Sequence, residues 1–392
     1  MLQSWRWYGP NDPVLLDHIR QAGATDIVTA MHENYDGQTW SYESIVERRD
    51  LIKEAGLKWS TVESIPVAQA IKLTGSGAVA EIKAYKQTMR NLAKAGIWVI
   101  CYNFMPVVDW TRTDLRFVTP TGGLALRFDA IDFAAYDIFI LERLAASDSY
   151  TDAVVKEAKA RHGLMTDAEI ITLESNIISG LPGSELNHTR AGVRAAISEY
   201  DGIGHAELRD NLIAFQNEII PLAEELGLRM CIHPDDPPFS LFGLPRVVST
   251  IDDYRAMFKA VPSLANGVTF CVGSLGSRAD NDLAAMVKEL APRIHFAHLR
   301  SVLRDAIGGF YESDHLEGSS SMIEIVDLLQ TEERRRQDQG RSDREIPMRP
   351  DHGHLLLDDV DKKTNTGYSA IGRLKGLAEL RGVMAALDYK HD

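Results

Sequence analysis

The chain has 392 residues, enough to bury a large core as one α/β domain of barrel size with insertions or as two ordinary domains. Apolar residues make up 45% and charged residues 25%, which excludes a disordered or collagen-like chain. Lys and Arg number 42 against 56 Asp and Glu, a formal net charge of −14 that argues against nucleic acid or an anionic membrane as partner. An acidic small substrate stays open to it, because a local Arg or a metal can hold a carboxylate on an acidic protein.

The opening residues, Met-Leu-Gln-Ser-Trp-Arg-Trp-Tyr, lack the charged-then-apolar pattern of an export signal. The apolar run Ile27–Met31 is followed by a helical pattern from Tyr42 to Ala55. The run Trp59–Val62 is followed by a helical pattern from Val79 to Lys94, and then comes Ile97–Tyr102. From about Ile131 to Glu199 the chain reads as several helices with little strand signal, a helical insertion (about 131–199) over the mouth of the fold. Leu208, Leu212, Phe215, Ile219, Leu222 and Leu226 then mark one face of a long helix, in which Pro221 predicts a kink. Leu228–Ile232, Val268–Val272 and Ile294–Leu299 are further apolar runs, with a helical pattern from Asp282 to Leu290 between the last two. The charge-dense stretch Thr331–Arg344 reads as an exposed helix end and loop, and a last helical pattern runs from Gly367 to Leu387. This alternation predicts a parallel sheet: a single α/β domain over 1–392 built as a (β/α)8 TIM barrel, with an open doubly wound sheet as the second choice. No P-loop and no strand-linked G-x-G-x-x-G occurs, so a nucleotide cofactor has no support.

In a barrel the functional face is the C-terminal end of the strands. Four strand ends carry polar residues that a core would not tolerate: Met230 to Pro238, Val268 to Ser274, Arg293 to Arg300 and Met348 to His354. Side chains alternate along a strand, so Cys231 and His233 share the inward face, as do Thr269 and Cys271. His298 and Arg300 share a face, whereas His295 is expected to point the other way and to lie deeper. Two His, one Cys and one Asp from four strands would make a mixed N, S and O site for a divalent first-row metal. A strand-end His is more often a hydrogen-bonded structural group than a ligand, and a lone buried Cys is usually a small hydrophobe, so the pattern alone favours the structural reading. Cys101 and Cys231, about two residues below their strand ends, fall in the hydrophobe class. Three cysteines in all exclude a disulfide framework and suit a reducing, cytoplasmic setting; no apolar run approaches membrane-spanning length.

The chain resembles the mannonate dehydratase family nearly end to end. The matching stretches are Trp5–Gly9, Val62–Val67, Cys101–Thr113, Cys231–Pro238, Phe270–Gly276, His295–Arg300, Asp314–Leu316, Arg349–His354 and Gly367–Arg373. The resemblance implies a xylose-isomerase-like barrel that dehydrates D-mannonate to 2-keto-3-deoxy-D-gluconate in hexuronate (glucuronate) breakdown, with Mn²⁺ or Fe²⁺. Carried onto this chain, it implies His233, Cys271, His298 and Asp351 as metal ligands and His352 and Tyr368 as the acid–base pair, without fixing which does which. Arg6, Tyr8, Asn103 and Arg300 match positions near the substrate. The resemblance alone suggests a homo-oligomer. One segment departs: Met31 to Trp40 replaces an Ile-Pro-x-Gly-Glu-x-Trp type run, and if it lines the mouth it bears on substrate range.

Loss of the C2 proton of a sugar acid puts charge on its carboxylate, which a divalent cation would stabilise. A base must take that proton and an acid must protonate the departing C3 hydroxyl. Two other readings are a metal-dependent sugar isomerase or epimerase on the same barrel, and a non-catalytic sugar-acid binding protein. Products from aldonates and aldoses separate the first, and binding without turnover the second.

Overall fold

The computed structural model describes residues 1–33, 37–179 and 189–391. Its strands are β1 (Leu2–Arg6), β2 (Asp26–Thr29), β3 (Lys58–Glu63), β4 (Val99–Tyr102), β5 (Asp114–Val118), β6 (Leu124–Phe128), β7 (Arg229–Ile232), β8 (Asn266–Cys271), β9 (Ile294–His298), β10 (Val302–Arg304), β11 (Phe310–Glu312) and β12 (Pro347–Arg349). Eight of them close a barrel in the order β1-β12-β9-β8-β7-β4-β3-β2, every pair parallel. The TIM barrel expected from the strand–helix alternation is therefore the fold. Among the described residues, no helix is long and apolar enough to cross a membrane.

The helices form where the sequence supplies an apolar stripe and stops. In the helix His205–Leu226, Leu208, Leu212, Phe215, Ile219 and Leu222 are buried, and Gly227 ends it at φ 72°, a left-handed cap that costs glycine little. The helix runs on through Pro221. Phe215 packs against the rings of Tyr85, Tyr102 and Phe104 at 5.2, 5.8 and 5.9 Å, which ties this helix to the barrel wall.

Between β4 and β7 the chain makes the β5–β6 hairpin and then helices at Ala130–Ala135, Asp152–His162, Asp167–Ile178 and Arg190–Ser198. Residues 180–188, which fall within the span read as an insertion, lie outside the described residues. The hairpin joins β10 and β11 in a second sheet of order β10-β11-β6-β5, all antiparallel. Nothing in the sequence reading anticipates this sheet, because strands of three to five residues are too short to show a period. Its strands follow the C-terminal ends of β4 and β9, so it is built onto the functional mouth.

Two expectations need correction. The stretch after Thr331 is not simply exposed: Glu332 and Arg336 are buried in the helix Met322–Asp338, where Arg336 bonds Glu332 Oε1 at 2.7 Å and the carbonyls of Ala291 and Ile294. Pairing and main-chain acceptors make that burial tolerable. His295 does not point away from the barrel: its ring occupies the space a Cβ on Gly267 would need, 2.1 Å away. Gly267 shares a face with Thr269, whose hydroxyl reaches Cys101 Sγ in the barrel interior at 3.2 Å. The register between β8 and β9 shifts at Val268/Thr269, and that irregularity breaks simple alternation.

Candidate active site

Register sets the site. β8 pairs Cys271 with His298, and β9 pairs His298 with Arg349, so these three side chains stand abreast at the C-terminal mouth. His233 follows directly on β7, and Asp351 lies two residues past β12 with a left-handed φ of 66°. That backbone region is costly for most side chains and tolerated by Asp, and here it marks a functional loop.

The donor atoms of His233, Cys271 and His298 all lie within 4.8 Å of one another. His233 Nε2 is 3.2 Å from His298 Nδ1. Asp351 Oδ2 is 3.8 Å from Cys271 Sγ and 4.0 Å from His298 Nδ1. His233 Nδ1 sits 2.7 Å from the Pro234 carbonyl, which can only accept, so Nδ1 carries a proton and Nε2 is the ring nitrogen turned toward His298. His298 Nε2 is buried with no hydrogen-bond partner, 3.4 Å from Glu63 Oε1. Donor atoms of two imidazoles, a sulfur and a carboxylate thus converge on one point.

Electrostatics sharpen this. Burial would raise the Cys271 thiol, but the Arg300 guanidinium and the two imidazoles hold it well below its usual range. Sγ also accepts from Ser274 Oγ at 3.0 Å. Burial would lower His233, yet Cys271 pushes it up to about 10, so without a cation Nε2 holds a proton against the thiolate, in the place a metal ion would take. Asp351 is held well below the carboxylate range: burial opposes, and Arg349 at 2.5 Å leads the groups that outweigh it. An N, S and O set of this kind, with an ionised thiolate, fits a divalent first-row metal and suits the hard ions Mg²⁺ and Ca²⁺ poorly.

Beside the cluster lies a cavity of about 390 Å³ whose lining includes Arg6, Tyr8, Asn103, His233, Asp351, His352 and Tyr368. His352 and Tyr368 stand edge to face with ring centroids 5.0 Å apart, and Tyr368 meets Tyr8 in the same way at 5.0 Å. The guanidinium groups of Arg6, Arg373 and Arg349 lie 5.5, 5.3 and 5.8 Å from the Tyr368 ring, fixing its attitude. Met31, His32 and Trp40 of the departing segment also line the cavity; its residues 34–36 lie outside the described residues. Burial and the charges of Arg6 and Arg48 lower His32 to about 3, so it faces the cavity as a neutral ring.

Nine of the ten residues singled out from the sequence lie in the cluster or the cavity wall. Arg300 does not line the cavity. It is buried behind the cluster, with Nη2 2.8 Å from Asp236 and 3.1 Å from Ser274 Oγ, Nε 3.0 Å from Asp351, and Nη1 on Glu312. Sequence reasoning missed Glu63, Arg349, Arg112, Asp236 and Glu312. Glu63 bonds Arg349 at 2.9 and 3.0 Å and Arg6 at 3.2 Å. It ends β3 as His298 ends β9, so the same strand-end rule could have found it. Glu312 ends the three-residue β11 and carries no such signal.

The family model of D-mannonate dehydratase (UxuA) matches residues 1–392. Mannonate dehydratase 2 of Agrobacterium fabrum is 53% identical over 388 residues, covering 99% of this chain and 98% of that protein. A mannonate dehydratase of Saccharophagus degradans is 51% identical over 389 residues, with 99% and 98% covered. Among solved structures, a mannonate dehydratase from Streptococcus suis serotype 2 superposes with a TM-score of 0.78 at 33% identity, covering 100% of this chain and 96% of that one. A xylose isomerase domain protein from Planctomyces limnophilus, at 9% identity and a TM-score of 0.50, covering 99% and 97%, shares the fold alone.

Proposed function

This chain belongs to the D-mannonate dehydratase family, and from that premise we propose that it converts D-mannonate to 2-keto-3-deoxy-D-gluconate in the cavity beside His352 and Tyr368, with a bound Mn²⁺ or Fe²⁺. The observation that carries the metal is the convergence of His233, Cys271, His298 and Asp351, whose donor atoms and ionised thiolate suit a cation. An ion held by those four groups would act as a Lewis acid toward the charge that develops on the substrate carboxylate.

The chain's own groups divide the proton work. The Glu312 carboxylate can only accept, so His352 Nδ1 carries the proton facing it at 2.9 Å and leaves Nε2 bare. His352 Nε2 is the base for the C2 proton. The Tyr368 phenol, across a 5.0 Å ring contact, donates to the C3 hydroxyl as it leaves as water. The enol so formed tautomerises to the 2-keto-3-deoxy acid. A cytoplasmic place in hexuronate catabolism and a homo-oligomeric state complete the reading.

The test is anaerobic chelation followed by reconstitution, reading formation of the 2-keto-3-deoxy acid. Activity is lost without metal, returns with Mn²⁺ or Fe²⁺, and returns weakly or not at all with Mg²⁺. Full activity without metal rejects the metal assignment, and no 2-keto-3-deoxy acid under any condition rejects the reaction.

A further inference from the structure

Among the described residues, four carboxylates line the cavity: Glu63, Asp109, Asp236 and Asp351. Three are closed off by guanidinium groups. Glu63 is held by Arg349 and Arg6, Asp236 by Arg112 at 2.9 Å and Arg300 at 2.8 Å, and Asp351 by Arg349 at 2.5 Å and Arg300 at 3.0 Å. Their side chains are 6%, 4% and 4% exposed, against 25% for Asp109. Among the described residues, no guanidinium is bonded to Asp109, although Arg246 lies within reach of its charge. Its nearest cation is Lys72 Nζ, 3.6 Å from Oδ1, and that buried oxygen has no hydrogen-bond partner. That oxygen is closed off, so the exposed remainder of the carboxylate is what a ligand in the cavity meets.

The position of Asp109 is built into the fold. Lys72, 2% exposed, donates to the Met105 carbonyl at 2.7 Å, and buried Arg246 donates to the Val108 carbonyl at 3.0 Å. Two buried cations thus pin the segment that presents Asp109 to the cavity. The next residue, Trp110, meets the His352 ring at 6.1 Å, so Asp109 flanks the acid–base pair without belonging to it or to the donor cluster.

We propose that Asp109 is a specificity residue: it accepts a hydrogen bond from a hydroxyl on the C4–C6 part of the sugar acid and rejects substrates that carry a second carboxylate there. This rests on the reading of the cavity as a mannonate site. With the substrate carboxylate, C2 and C3 committed to the donor cluster, His352 and Tyr368, the hydroxyls beyond C3 remain to be read, and each is a donor. Asp109, the one of these four carboxylates with no guanidinium bonded to it, suits them. An anionic C6 would instead face a like charge, with Lys72 and Arg246 committed to main-chain carbonyls.

The experiment measures kcat and KM for D-mannonate and for mannaric acid, its C6 dicarboxylate analogue, in the metal-loaded wild type, Asp109→Asn and Asp109→Ser. Expected is a wild type that strongly prefers D-mannonate. Both variants lose about 10–100-fold in kcat/KM for D-mannonate, chiefly through KM, as removal of a hydrogen bond to a charged acceptor predicts. Both also shift the mannonate-to-mannarate ratio by tenfold or more toward mannarate, at unchanged metal content. An unchanged ratio in folded variants overturns the proposal. If neither variant folds, the wild type decides, because equal turnover of mannarate overturns it and rejection supports it. A wild type inactive on D-mannonate sinks the proposed function itself, whereas an active wild type with indifferent variants sinks only the role of Asp109.

Discussion

Both carboxylate oxygens of Glu312 lie within hydrogen-bond reach of His352 Nδ1, at 2.9 and 3.0 Å. The same carboxylate accepts from Arg112 at 3.0 Å and from Arg300, so its position is over-determined. It fixes the tautomer of His352 and turns Nε2 toward the cavity. Glu312→Gln keeps the shape and removes the charge that holds the proton on Nδ1. We expect kcat to fall about 10–100-fold, the scale seen when a partner orienting a histidine is lost, with KM and bound metal little changed. Steady-state kinetics with metal analysis decide it, and a kcat within twofold of wild type removes Glu312 from the role.

A second pair tests the packing that supports the Asp351 loop. His315 Nε2 lies 2.8 Å from the Pro350 carbonyl, and its ring fills the space beside Gly376. A Cβ on Gly376 would stand 2.2 Å from His315 Cε1. Gly376→Ala therefore costs roughly 1–3 kcal/mol by overpacking, read as a lower Tm. Because every close atom belongs to the His315 ring, Gly376→Ala added to His315→Ala should cost far less than Gly376→Ala alone. Additive losses would mean that the clash is not with that ring.

The site was legible in the sequence where a polar residue ends an apolar run. His233 follows Met230, Cys231 and Ile232, Cys271 follows Phe270, and His298 follows Phe296 and Ala297, each at the end of its strand. Glu63 likewise ends its strand, but Ser60 and Thr61 stand among the residues before it, which weakens the signal. Glu312 and Arg112 could not be found in this way. They come from the second sheet, whose three- to five-residue strands show no period, and they reach the site through long-range pairing with Arg300 and Asp236. His295 was misplaced because alternation presumes an unbroken register, and β8 and β9 shift at Val268/Thr269.

His295 gives a pH prediction. Burial, aided by Arg336 and Arg229, lowers it to about 3, while its Nε2 bonds the Leu264 carbonyl at 2.9 Å. Between about pH 6.5 and this value the unfolded chain binds a proton that the folded chain does not. Stability is therefore full above the unfolded value and falls as pH drops below about 6.5, by up to about 1.4 kcal/mol per pH unit from this group. His295→Asn removes the titration. The slope of unfolding free energy between pH 6.5 and 5 should be shallower in the variant by about that amount, and identical slopes would show that His295 is not held neutral.

Arg300 separates two roles by what its replacement disturbs. Its guanidinium, 2% exposed, bonds Asp236, Glu312 and Ser274 and stands 3.0 Å from Asp351 and 3.7 Å from Cys271. It holds two of the four donors in their ionised forms from behind, away from the cavity. A lysine keeps the charge but not the planar fork that serves these partners together. Arg300→Lys should then weaken metal binding about 10–100-fold and lower the Tm, while KM for D-mannonate at saturating metal stays within a few-fold of wild type. Breaking the network outright with Arg300→Met should cost about 3–5 kcal/mol, because it leaves Asp236 and Glu312 buried with one fewer cation. Metal titration followed by kinetics on the loaded enzyme separates the cases. A raised KM with unchanged metal affinity would put the guanidinium in contact with substrate, and a loss of metal affinity with a steady KM would keep it behind the donors it charges.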